Sequence, residues 1–139
     1  MTLVQTPSIL HSKKILVVDA KEDNALLSKK NLENLGVDKE NITIVKDGLE
    51  ALEAAKKQLF DVIITEIQLP GMDGAQLSET VRTIYQEKSP KMVVYTANQF
   101  VEEIPKINKS FDTIILKPSS RANFEEKLLE VFAMDNDKI

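Results

Sequence analysis

Residues 61–74 read Asp61-Val-Ile-Ile-Thr-Glu-Ile-Gln-Leu-Pro-Gly-Met-Asp-Gly74. The run Val62 to Ile64 is β-branched and does not alternate with polar residues, the pattern of a strand covered on both faces. It ends on a carboxylate, Glu66, turns through Pro70-Gly71, and opens into an amphipathic stretch from Ala75 to Gln86. A buried strand followed by a turn and a helix is the repeating part of a βαβ unit.

Outward from that segment the same couplet recurs. Strands are expected at Lys14 to Asp19, Ile42 to Val45, Asp61 to Glu66, Met92 to Thr96 and Thr113 to Leu116. Helices are expected at Asp23 to Leu35, Leu49 to Gln58, Ala75 to Gln86, Val101 to Asn108 and Arg121 to Phe132. Gly36 supplies a stop for the first helix, because glycine adopts the left-handed C′ conformation cheaply. In the last helix Phe124, Leu128 and Val131 or Phe132 form an apolar stripe, with Ser120 as its N-cap. The fourth helix is in conflict with Pro105, which removes a hydrogen bond and clashes with the preceding turn in a helix interior.

At 139 residues the chain has the length of one domain, enough to bury about two thirds of its unfolded surface. Residues 1–12 read as a flexible arm, 13–134 as the folded domain and 135–139 as a tail. Eighteen Lys+Arg against 22 Asp+Glu give a net charge of −4, so no excess of positive charge draws the chain to nucleic acid or to an anionic membrane. There is no cysteine, and the single histidine, His11, precedes the first strand. Disulfides, thiolate zinc sites and a Ser/His/Asp triad in the folded body are therefore excluded. The first twelve residues lack the basic and apolar regions of a secretory signal, and no apolar run approaches the ~20 residues that cross a bilayer. These features point to a cytoplasmic protein with neither a nucleic-acid nor a membrane partner.

In an open parallel sheet, functional groups collect at the carboxyl ends of the strands. Here those ends carry Asp19, Glu66, Thr96 and Lys117. Singly, each has an ordinary structural role as a cap, a strand end or a surface charge. Together they form two carboxylates, a hydroxyl and an ammonium at one edge.

Four segments carry a resemblance: Lys14-Ile-Leu-Val-Val-Asp-Ala-Lys-Glu-Asp-Asn24, the 61–74 stretch above, Met92-Val-Val-Tyr-Thr-Ala97 and Leu116-Lys-Pro118. Over about Lys13 to Phe132 the sequence resembles the response-regulator receiver domain, the CheY-like phosphoacceptor module of two-component signalling. The resemblance implies a doubly wound α/β fold of flavodoxin-like type, with five parallel strands in the order 2-1-3-4-5. It also implies a site in which two adjacent acids after strand one and an aspartate after strand three hold Mg²⁺. That last aspartate accepts a phosphoryl group, a lysine grips the phosphoryl oxygen, and a Thr or Ser hydroxyl with an aromatic on strand five forms the switch.

This chain departs from that pattern at three positions. The acidic pair is Asp19-Ala20, the acceptor position holds Glu66, and the aromatic switch position holds Ile114. The extra methylene carries the Glu66 carboxylate roughly 1.5 Å further out, and a misplacement of ~1 Å can cost about a hundredfold in an in-line reaction. Thr96 and Lys117 match the family, and Gln68 stands where a backbone carbonyl would ligate the metal. Asp19 and Glu66 against Lys117 leave a charge of −1, which Lys21 could cancel.

The expectation is a stand-alone pseudo-receiver: not an enzyme, not phosphorylated at Glu66, and acting by protein–protein interaction with a kinase or a downstream effector. No cofactor is expected. Mg²⁺, on Asp19, Glu66 and Gln68, enters only under the alternative of a phospho-accepting regulator in a phosphorelay. Glu66 is expected to reach Lys117 and to lie within range of Thr96. The output is expected on the face of helix four, strand five and helix five, with Ile104, Lys106 and Ile107 as contacts. A homodimer through that face would compete with a partner. A haloacid-dehalogenase-type phosphotransferase fails because Lys21 stands where its second aspartate is needed. A nucleotide or flavin binder fails because Gly36, Gly48, Gly71 and Gly74 all lie away from the loop after strand one.

Overall fold

The computed structural model describes residues 10–136. Five strands, β1 (Ile15–Val18), β2 (Ile42–Val45), β3 (Val62–Thr65), β4 (Lys91–Thr96) and β5 (Thr113–Leu116), form one sheet in the order β2-β1-β3-β4-β5. Every pairing is parallel, with Val18 opposite both Val45 and Thr65, and Thr96 opposite Leu116. All five carboxyl ends therefore lie along one edge, as the strand order expected from the sequence requires.

The period of the strands sorts their side chains into two cores. Ile15, Val17, Val62, Ile64, Val93, Tyr95 and Ile115 pack on one side with α1 (Glu22–Asn34) and α5 (Arg121–Asn136). Leu16, Val18, Ile63, Met92 and Val94 pack on the other with α2 (Gly48–Lys57), α3 (Gly74–Tyr85) and α4 (Ile107–Ser110). The unalternating β-branched strands are thus explained by two covered faces.

The helix ends follow local chemistry. Asp73 and Gln76 form a reciprocal capping box at α3, and Asp47 accepts from the Glu50 N–H at α2. Ser120 Oγ accepts from the Asn123 N–H at the start of α5, and Gly36 takes φ 103° after α1, as expected. Phe124, Leu128 and Val131 are fully buried along α5, each burial contributing about 1.5–3 kcal/mol.

Three expectations differ from the structure. The helix over Val101 to Asn108 is broken: a 3-10 turn at Val101–Glu103 is followed by extended Ile104, Pro105, left-handed Lys106 (φ 67°) and then the single turn of α4. Proline bars the α region to the residue before it, so Ile104 leaves the helix and the chain restarts after Lys106. The arm also ends earlier than expected. Leu10 is 1% exposed in the α1/α5 core, and the His11 carbonyl accepts from the Asp38 N–H and the Asn41 amide. Packing thus begins at Leu10 rather than at Lys13, while the rest of the arm, residues 1–9, lies outside the described residues. Helix α5 runs into the expected tail as far as Asn136, and residues 137–139 lie outside the described residues.

Candidate functional site

Asp19 follows β1 directly and continues its ladder, its N–H donating to the Val45 carbonyl. The carboxylate is fixed on both oxygens: Oδ1 accepts from the Lys21 N–H at 2.9 Å, and Oδ2 accepts from Lys117 Nζ at 2.9 Å. Lys117 arrives from the end of β5, where its N–H donates to the Thr96 carbonyl. Its ammonium also approaches Glu66 Oε1 at 3.5 Å, while Glu66 Oε2 accepts from the Ile67 N–H at 2.9 Å. The side chains of Asp19, Lys117 and Glu66 are 8%, 15% and 20% exposed, so these contacts are screened far less than surface pairs.

The loop after Glu66 is folded back against the strand. A Cβ on Gly74 would lie 2.5 Å from the Glu66 carbonyl oxygen and 3.2 Å from Ile67 Cα. Gly74 also donates its N–H to the Ile67 carbonyl, which fixes the turn that carries Glu66.

A cavity of about 320 Å³ opens at this edge, lined by Asp19, Ala20, Glu66, Gln68, Thr96 and Asn98. The strand ends thus bring together all four groups expected there. Glu66 does reach Lys117, as its length predicted, but the nearer partner of the ammonium is Asp19. Thr96 is buried, and its hydroxyl accepts from the Asn98 N–H at 3.2 Å, which ties it to its own loop. Ala20 and Gln68 are exposed at the rim. Lys21 serves the site through its backbone N–H, and its exposed residue forms none of the ion pairs found at the site among the described residues. Ile114 is half-buried against the α2/α3/α4 core, on the face opposite Tyr95.

The donor set does not fit a divalent cation. Mg²⁺ requires hard oxygens in an octahedron, yet one oxygen of each carboxylate faces an ammonium and the other accepts a backbone N–H. Ala20 supplies no ligand, and among the described residues no group of three His, Cys, Asp or Glu is placed to hold a metal.

The proposed contact face separates into two kinds of residue. Ile107 is 2% exposed and packs in the α2/α3/α4 core, so it is a core residue and not an interface contact. Lys106 is exposed, and Ile104 is half-buried. Beside them Phe100 and Leu116 are 66% and 44% exposed. Among the described residues no helix is long and apolar enough to cross a membrane.

Tyr95 was not singled out from the sequence. Its ring centroid lies 5.0 Å from Lys117 Nζ and 5.3 Å from the Phe124 ring. Burial pushes its phenol above the usual tyrosine range, with Lys117 opposing and Asp19 reinforcing the shift. The signal available was an aromatic in an otherwise aliphatic strand, one residue before a site hydroxyl.

Comparison with known proteins places this fold in a family. The chemotaxis protein CheY-3 of Vibrio cholerae is 32% identical over 120 residues, which cover 86% of this chain and 91% of CheY-3. The sensor protein GacS of Pseudomonas syringae pv. syringae is 28% identical over 128 residues, 89% of this chain. The chain spans 14% of the length of GacS and 7% of a hybrid signal transduction histidine kinase of Dictyostelium discoideum. Among solved structures, CheY4 of Vibrio cholerae matches with a TM-score of 0.76 at 26% identity, over 86% of this chain and 98% of CheY4. The receiver domain of the sensor histidine kinase PA1611 from Pseudomonas aeruginosa shares the fold, with a TM-score of 0.72 at 24% identity over 82% of this chain and 92% of that one; its structure carries a magnesium ion in the active-site cleft. Residues 15–129 match the response regulator receiver domain, and with that edge of Asp19, Glu66, Thr96 and Lys117 at the ends of five parallel strands, the chain belongs to the receiver-domain family of two-component signalling.

Proposed function

We propose that the chain is a cytoplasmic pseudo-receiver, not an enzyme, that is not phosphorylated at Glu66 and works by binding a protein partner, a kinase or a downstream effector. One observation carries this reading: the Lys117 ammonium stands 2.9 Å from Asp19 and 3.5 Å from Glu66, so the acidic edge is offset from within by the chain's own cation. A carboxylate acting as nucleophile must present a free oxygen in line with the incoming phosphorus. Glu66 instead gives one oxygen to the Ile67 N–H and turns the other toward Lys117. The exposed Phe100, Lys106 and Leu116, with half-buried Ile104, supply an accessible surface for a partner on the side of α4, β5 and α5.

Intact mass after incubation with a small acyl phosphate and Mg²⁺ tests this. No adduct of about 80 Da, one phosphoryl group, is expected on the native chain. Such an adduct mapped to Glu66 would refute the reading and favour the phosphorelay alternative. The pair Ala20→Asp and Glu66→Asp is expected to restore both Mg²⁺ binding, read by NMR titration, and phosphoacceptance, because Ala20 is exposed and leaves room for a side chain at the rim.

A further inference from the structure

The ammonium of Lys117 is met by an aromatic ring as well as by the two carboxylates. Tyr95 precedes Thr96 on β4, and the alternation of the strand sends its side chain into the α1/α5 core, away from the α2/α3/α4 core where Ile114 packs. There its ring meets Lys117 Nζ at 5.0 Å and the ring of the fully buried Phe124 of α5 at 5.3 Å, with planes inclined by 58°. A cation over an aromatic face is attracted by the ring quadrupole, and the attraction grows as water is removed. Tyr95 is 8% and the Lys117 side chain 15% exposed, so the contact is largely withdrawn from water even though both residues border a cavity.

We infer that Tyr95 is a positioning residue for Lys117: its ring and Asp19 together hold the ammonium closer to Asp19 than to Glu66, and Phe124 carries any displacement of that ammonium to α5. The long aliphatic stem of lysine is otherwise free to place its charge in many positions. A ring on one side and a carboxylate on the other select one of them. Burial sets the upward shift of the Tyr95 phenol, and the Lys117 and Asp19 charges, opposing and reinforcing it, both lie close enough to be felt there. A cavity of about 460 Å³ beside Tyr95, lined also by Leu27, Ser28, Asn31 and Ser119, gives the side chains room to move on this side of the sheet. The route leads to α5 without using Ile114, and it holds whether or not Glu66 accepts a phosphoryl group.

NMR of the full chain decides it, using the Lys117 Hε resonances and the Phe124 ring resonances. In the native chain and in Tyr95→Phe, ring current is expected to displace the Lys117 Hε signals upfield, and in Tyr95→Leu that displacement is lost. Lys117→Met is expected to shift the Phe124 ring signals in the native and Tyr95→Phe backgrounds and to leave them unmoved in Tyr95→Leu. A Leu variant that keeps the native Lys117 shift, or in which Lys117→Met still moves Phe124, overturns the inference. Should the Leu variant not fold, the native chain suffices: Lys117 Hε signals without an upfield displacement overturn it as well.

Discussion

Replacing Lys117 with Met removes the charge at the centre of the site while keeping most of the aliphatic stem. At an effective dielectric near 20, the gross attraction of the ammonium is ~6 kcal/mol for an oxygen at 2.9 Å and ~5 kcal/mol for one at 3.5 Å. Distance alone therefore separates Asp19 from Glu66 very little. Hydrogen bonding and burial separate them more: the Asp19 contact has the length of a charge-assisted hydrogen bond and an 8% exposed carboxylate, whereas the Glu66 contact is long and its carboxylate is 20% exposed. Asp19→Asn is accordingly expected to cost ~2–3 kcal/mol and Glu66→Gln ~0.5–1 kcal/mol. Lys117→Met should cost ~3 kcal/mol, the lower end for breaking a buried pair, because it strands a desolvated carboxylate. The sign of the second step is the stringent test. In the Lys117→Met background, Asp19→Asn should regain ~1–2 kcal/mol, since the neutral amide can still accept from the Lys21 N–H and no longer carries an unpaired charge. Urea unfolding with a common m-value measures all four corners of the cycle. If Asp19→Asn costs the same in both backgrounds to within ~0.5 kcal/mol, the two groups are not coupled and the pairing of Lys117 with Asp19 does not hold the site.

Gly74→Ala should destabilise the chain by ~1–3 kcal/mol, because its Cβ would meet the Glu66 carbonyl oxygen, a backbone atom that cannot turn aside; chemical denaturation gives the loss, and NMR should place the largest shifts at Glu66 and Ile67. Ile107→Ala is expected to cost ~2–5 kcal/mol as a core truncation, while Lys106→Glu leaves the unfolding midpoint nearly unchanged and weakens partner capture and self-association, read by pull-down and sedimentation. Tyr95 gives a pH dependence of definite sign. Its folded phenol titrates above the unfolded value of 10.0, so the stability tied to its neutral form is intact below pH 10 and falls as pH rises through the folded value. The native chain should then lose up to about 1.4 kcal/mol per pH unit more than Tyr95→Phe in that window, measured by unfolding at a series of alkaline pH values.

Much of this architecture was legible because buried parallel strands and short capping motifs are local signals. Val62 to Ile64 suits a strand with two covered faces, Ser120 and Gly36 bound their helices as expected, and the strand ends bring Asp19, Glu66, Thr96 and Lys117 to one edge. The break at Pro105 was legible as a conflict but not in its resolution. Whether the chain would kink a helix or abandon it depended on Ile107 finding a buried place beside Val101 and Phe111, which is a tertiary matter. Leu10 lies in an arm whose apolar residues follow no period, and the hydrogen bonds of His11 to the turn after α1 help to anchor it at the core.

The choice that Lys117 makes between two carboxylates lay further from view. The charge count of −1 was visible in the residues, and it suggested that Lys21 would complete the balance. In the structure the backbone N–H groups of Lys21 and Ile67 stabilise the two carboxylates without adding a side-chain cation. Asp19 and Glu66 thus share one ammonium beside Ala20. With alanine at position 20, Asp19 is the acid that follows β1, and an Asx-type turn and a lysine 98 positions later in the chain hold it from both oxygens. A site built this way is specified by its backbone turns as much as by its charged side chains. The pair Ala20→Asp and Glu66→Asp is therefore expected to bind a cation only by displacing Lys117 from Asp19.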